Sequence, residues 1–174
     1  MLIRMLGGLS HWTESLDKER SHSTPEKPFV ATGDAIAQLR STQNTLSVWK
    51  ADTEEDCNDA FVALALGRHD VEKISYCLLD EKGLAEAGIT ISDNQPGEAP
   101  GAANSILAKH RDLIEIDYWK LGDIAGAIKD YLRKPENPNK ITIKSLKALL
   151  NSYKDSGKID VDNMNPGLRA KLNW

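Results

Sequence analysis

Residues 46–79 read LSVWKADTEEDCNDAFVALALGRHDVEKISYCLL, and their periodicity decides the fold class. Residues 44–51 alternate in polarity and contain Val48 and Trp49, the pattern of a half-buried strand. Asp52 with Glu55 three residues on resembles a capping pair, and Glu54, Glu55 and Asp56 put negative charge where a helix dipole is positive. Cys57, Ala60, Phe61, Leu64 and Ala65 then keep helical spacing, and Gly67 is a natural stop. KISYCLL, residues 73–79, reads as a second strand. Strand, helix and strand together have the length of a βαβ unit, ~30 residues. The spacing predicts that residues 45–50 and 74–79 share one sheet. A helix over 54–66 packs on it through Phe61 and Leu64.

Toward the N-terminus, Leu2, Met5, Leu9, Trp12 and Leu16 are spaced as a heptad seam, which predicts an amphipathic helix. Gly7 and Gly8 interrupt it at ~1 kcal/mol each, so the helix needs a surface to lie on. SHSTPEKP, residues 21–28, reads as a polar connector, and Asp34 to Arg40 as a short helix with Ile36 and Leu39 inward. Toward the C-terminus a short helix is expected at Glu81 to Ala87 and a brief strand at Ile89 to Ile91. Residues 92–103, SDNQPGEAPGAA, predict an irregular surface loop with little packing of its own. A helical turn near Ala102 to Lys109, a strand over Leu113 to Tyr118 and a strong helix carrying Leu121, Ile124, Ala125, Ile128, Tyr131 and Leu132 follow. RKPENPNK, residues 133–140, ends that helix with Pro135 and Pro138. Beyond it Leu146, Leu149, Leu150 and Tyr153 mark a helix closed near Gly157, and a last turn runs from Pro166 to Leu172.

The expected fold is α+β, or a small α/β layer. It has three to four strands in one sheet with one covered face, six to seven helices and a C-terminal helical appendage. Residues 1–28 form the N-terminal helix and connector, 29–134 the core, and 135–174 a basic helical segment packed on it.

A hydrophobic share of 40% supports a folded core, and a net charge of −4 gives no global case for nucleic acid or an anionic membrane. The charge is polarised: residues 1–120 carry a net −8 and residues 121–174 a net +4. Cys57 and Cys77 sit in apolar runs, where a free thiol behaves as a small hydrophobe. The N-terminal stretch is a poor signal peptide, and no run approaches the ~20 apolar residues of a membrane span. A cytoplasmic address is therefore the expectation.

Most motif fragments fail on context. HRDL at His110 to Leu113 lacks the remaining segments of a kinase, and Gly8-Leu9-Ser10-His11 lacks the closing glycine and preceding strand of a nucleophile elbow. No phosphate-loop or dinucleotide fingerprint occurs. His11, His22, His69 and His110 lack zinc spacing, and residues 155–165 fail as a calcium loop in both registers. Neither metal nor cofactor is expected.

Taking ~100° per residue, Lys140, Lys144, Lys147, Lys154 and Lys158 fall on one quarter of a helix beside the Leu146 face. No arginine or aromatic interleaves them, which argues against nucleic acid as partner. Two function classes follow. The first is a non-catalytic interaction or regulatory protein, such as an adaptor, inhibitor or accessory subunit. It would bind another protein through these lysines and through Leu2, Met5, Leu9, Trp12 and Leu16, a seam that would also pair two copies. The alternative is a small hydrolase or transferase whose site gathers His69, Asp70, His110, Arg111 and Asp112, which lie where helices give way to strands or loops. A concave pocket joining two of these segments favours the enzyme, and a flat surface with the apolar seam exposed favours the binder.

Overall fold

The computed structural model describes residues 1–24, 31–39, 43–93 and 95–174; the expected connector from Pro25 onward and the end of the expected helix at Arg40 lie outside these. The segment that opens the quoted stretch forms β2, Leu46–Lys50, followed by α3, Glu54–Leu66, and β3, Ile74–Leu79. The cap of α3 is one residue later than the sequence implies. Thr53 accepts from the Asp56 N–H and the Asp56 carboxylate accepts from the Thr53 N–H, a reciprocal box. Phe61 is buried against Tyr76 with ring centroids 4.9 Å apart.

The N-terminal helix is not continuous. Leu2–Leu6 is a strand, β1, and only Leu9–His22 is helical, as α1. The residue that decides this is Ile3, which a heptad seam leaves outside and which is fully buried here. LIRML is apolar on both alternating sets except at Arg4, as a strand covered on both faces requires. Gly7 and Gly8 then make the turn into α1.

β1 lies between β2 and β3, antiparallel to both, with Leu2 opposite Lys50 on one side and Leu79 on the other. The strand–helix–strand unit therefore straddles β1. After α4 (Glu81–Glu86) and β4 (Thr90–Ser92), α5 (Asn104–Leu107) leads to β5, His110–Ile114. α6 (Tyr118–Leu132), the edge strand β6 (Lys140–Ile141), α7 (Ile143–Asp155), a 3-10 turn (Val161–Asn163) and α8 (Pro166–Leu172) complete the chain. The sheet order is β4-β5-β2-β1-β3-β6, with every neighbour antiparallel.

The α+β class fits, but the strand number does not: among the described residues there are six strands and eight α-helices, not three to four and six to seven. The uncounted strands are β1, read as helix, and β6, two residues too short to carry a period. Both faces are covered rather than one. Ile3, Trp49, Ile74 and Tyr76 pack with residues of α3, α7 and α8, whereas Leu2, Leu6, Leu46, Val48, Cys77 and Leu79 pack with α1, α2 (Gly33–Ala37), α4 and α6.

β5 begins three residues before the expected strand and stops earlier, because Glu115 takes a left-handed φ of 55° and Asp117 caps α6 by accepting from the Lys120 N–H. Residues 93 and 95–103 are irregular and about half exposed, as a surface loop, but parts of the segment pack on the body, against the expectation of little packing. Gly97 and Ala99 are buried, the Asp160 N–H donates to the Gly101 carbonyl at 2.8 Å, and Ala102 bridges Ile159. Small residues let this segment lie flat where side chains would hold it off.

The prolines of residues 133–140 end α6 without loosening the chain. The Tyr76 N–H donates to the Asn139 carbonyl, and β6 adds directly to β3. α7 is fastened to α3 through Asp59, which is 2% exposed and accepts from the Tyr153 hydroxyl at 2.7 Å and from Lys109 Nζ at 2.5 Å. Lys109 also meets Asp56 at 2.6 Å. Burial opposes the Lys109 charge, but these hydrogen bonds overcome it and raise its pKa. The hydrogen bond from Lys109 holds the Asp56 carboxyl down to about 2 against the opposing effect of burial.

Candidate functional site

The register of β2 against β5 builds the site. Ser47 stands opposite Asp112 and Trp49 opposite His110, so alternation puts all four side chains on the same face. Ser47 Oγ lies 2.8 Å from His110 Nε2, and His110 Nδ1 lies 3.0 Å from the Gln95 carbonyl oxygen. A carbonyl only accepts, so Nδ1 carries the proton. When the ring is uncharged, Nε2 is then an acceptor for the Ser47 hydroxyl. Trp49 packs edge-on against the imidazole at 5.1 Å, and His110 is buried at 8% exposure while Ser47 remains open. Asp112 Oδ1 stands 3.5 Å from Ser47 Oγ and 3.8 Å from His110 Nε2, placing a negative charge beside the pair.

These groups line a cavity of about 490 Å³ that also takes in Arg68, at the end of α3, and the segment from Gln95 to Glu98. The volume is that of a small-molecule site. Arg68 is incompletely satisfied. Its Nη2 donates to the Met5 thioether at 2.8 Å, a weak acceptor, and its Nη1 is buried without a hydrogen-bond acceptor among the described residues. The carboxylate of Glu72, itself 71% exposed, is 3.8 Å from Nη1. A hydroxyl directed at an imidazole whose other nitrogen is anchored is the arrangement of a nucleophile and its base.

Of the five residues proposed from sequence as catalytic, the structure brings together His110 and Asp112. His69 is exposed and hydrogen-bonds Asn165 Nδ2 at 2.9 Å. Asp70 accepts from the Val71 N–H and lies 3.8 Å from Lys171 Nζ. Arg111 donates to the carbonyls of Ala108 and His110. Ser47, Arg68 and the Gln95 carbonyl were not legible as site groups. Ser47 reads only as the polar member of an alternating strand, and it acquires a role once β2 is paired with β5.

The lysines are not one helical stripe. Lys140 is on β6 and Lys158 follows Gly157, which takes a φ of +72° beyond the end of α7, so only Lys144, Lys147 and Lys154 share the helix. Lys158 pairs with Glu55 at 2.8 Å, and Lys154 lies over the Trp174 ring. The seam is not a surface either: Leu2 and Trp12 are buried, Trp12 Nε1 donates to Gln38 Oε1, and Met5, Leu9 and Leu16 are half-buried. Instead, among the described residues the most exposed large apolar side chains are Tyr118 and Trp119 at the start of α6, at 79% and 80% exposure.

Burial pushes the Cys77 thiol up to about 12, which leaves it un-ionised at neutral pH. Among the described residues no three His, Cys, Asp or Glu side chains gather as a metal-holding group, and no helix is long and apolar enough to cross a membrane. Comparison with family models, with curated proteins and with solved structures found no match.

Proposed function

We propose that this chain is a small hydrolase of ester-type substrates, with Ser47 as nucleophile and His110 as general base. The observation that carries the reading is the Ser47–His110 contact of 2.8 Å, with the tautomer set by Gln95. Ser47 Oγ attacks the substrate carbonyl carbon while its proton passes to His110 Nε2. The imidazolium so formed keeps its Nδ1–H on the Gln95 carbonyl and is stabilised by the Asp112 carboxylate. Nε2–H then protonates the leaving alkoxide as the carbon–oxygen bond breaks, giving an acyl-Ser47. Water, deprotonated by the same Nε2, attacks that ester, and the proton returns to Ser47 Oγ as the acid departs.

The test is covalent labelling with a fluorophosphonate, together with turnover of p-nitrophenyl acetate. Labelling is expected on Ser47 and lost in Ser47→Ala, and His110→Gln should lower turnover by about 100-fold or more. Labelling that persists undiminished in Ser47→Ala sinks the reading. A second reading, as an interaction protein, is favoured by the outward Tyr118 and Trp119, whose rings meet edge-on at 6.1 Å. It predicts a partner, recovered from the native source, whose binding is lost in Tyr118→Ser/Trp119→Ser while ester turnover is kept.

A further inference from the structure

Where β1 ends at Leu6, the turn through Gly7 and Gly8 into α1 opens a second cavity, of about 640 Å³. Arg68, Lys73 and Lys140 line it, with Glu72 the acidic side chain among the lining residues. Three cations and one carboxylate leave a local charge of +2. Lys73 and Lys140 are exposed and make no ion pair with a described residue. The first turn of α1, which also lines the cavity, has neither a side-chain cap nor an acidic residue, so it adds to the positive potential.

Arg68 joins this cavity to the first, since it lines both. Its bonding makes the argument specific. A buried guanidinium N–H without an acceptor is costly, and Arg68 Nη1 has no hydrogen-bond acceptor among the described residues, only the Glu72 carboxylate at 3.8 Å, while Nη2 rests on a sulfur. An anion entering from either cavity supplies the missing acceptor after a small torsional adjustment of a side chain that is still 24% exposed. The forked donors of a guanidinium match phosphate oxygens, and a phosphomonoester dianion balances the +2 where a carboxylate would leave one charge over.

We propose that the ligand of this chain carries a phosphate group, bound by Arg68 with Lys73 and Lys140, and that its scissile bond lies toward Ser47. The second clause rests on the hydrolase reading above; the anion site stands on its own cations. The experiment is calorimetric titration of inorganic phosphate, at fixed ionic strength, into the parent, Ser47→Ala, Lys73→Ala/Lys140→Ala and Arg68→Gln. Parent and Ser47→Ala should bind alike, and each of the other two should bind about tenfold or more weakly. The double lysine variant changes exposed side chains only, so it decides the matter even if Arg68→Gln fails to fold. Phosphate should also inhibit turnover of p-nitrophenyl acetate by the parent. Absence of phosphate binding by the parent, or undiminished binding by the double variant, overturns the proposal even if Ser47-dependent turnover is found. Phosphate binding without Ser47-dependent turnover upholds the anion site and overturns the hydrolase reading.

Discussion

Gly97→Ala tests the link between packing and the site, because one methyl group touches both. A Cβ at residue 97 would stand 2.3 Å from Trp49 Cη2, 2.9 Å from Cζ2 and 3.0 Å from His110 Cβ. Ordinary carbon–carbon contacts are about 3.5–4.0 Å, so the closest of these overlaps by more than 1 Å. Trp49 is 5% exposed and wedged among core side chains, so it has little room to withdraw. The segment must lift instead. Lifting strains the Gly97 N–H bond to the Leu107 carbonyl and draws the Gln95 carbonyl from His110 Nδ1. Overpacking costs about 1–3 kcal/mol and a lost hydrogen bond about 1 kcal/mol, which gives about 2–4 kcal/mol in all. For a chain of this length Tm should fall by about 4–16 °C. Ester turnover should fall as well, since an imidazole without its Nδ1 acceptor no longer holds Nε2 open toward Ser47. The assay is a thermal melt followed by circular dichroism, with turnover measured well below the transition. Parental Tm and parental turnover together would mean that the segment is not seated on Trp49, and the account of the site would fall with it.

Gly126→Ala on α6 is the complementary change: nothing lies within 4 Å of the added Cβ, so stability should rise by about 0.5–1 kcal/mol, and a lower Tm would contradict the open space there. Phe61→Ala should cost about 3–5 kcal/mol in denaturant unfolding, because the ring is buried against Tyr76; a loss under 1 kcal/mol would place Phe61 outside the core. Asp56 has a folded pKa of about 2 against an ordinary 3.8, so its contribution is full above pH 3.8 and is lost as pH falls through about 2. The shift is worth about 2.5 kcal/mol unscreened, or about 1 kcal/mol once solvent at its rim is allowed for. Asp56→Asn should therefore be less stable at neutral pH and flatter between pH 4 and 2, and parallel acid limbs would refute the Lys109 pairing as its cause.

What the sequence discloses here depends on whether a residue's role is local. The helix over 54–66 is legible because its acidic first turn, its apolar spacing and Gly67 all act within a few residues. The strand at 2–6 is not, because LIRML followed by two glycines fits a heptad as well as a doubly covered strand. Only Ile3, off the seam, separates the two, and its burial depends on α3 and α7 arriving from elsewhere. The site has the same character. His110 and Asp112 stand out as polar residues at a junction, but Ser47 is one of many serines until β5 is set in register. The expected strand over 113–118 begins too late to pair Trp49 with His110, and it would leave Ser47 without its base. Arg68 is less legible still. Its weak bond to Met5, and an Nη1 with no hydrogen-bond acceptor among the described residues, follow from β1 being a strand that ends at Leu6 and from α3 stopping beside it. The cationic cavity thus depends on β1, which periodicity reads as helix, and the Ser47–His110 pair on the register of β5, whose start periodicity places too late. A change that loosens β1, such as Ile3→Ala, should disturb Arg68 and Ser47 together, whereas changes on α1 should leave the pair intact.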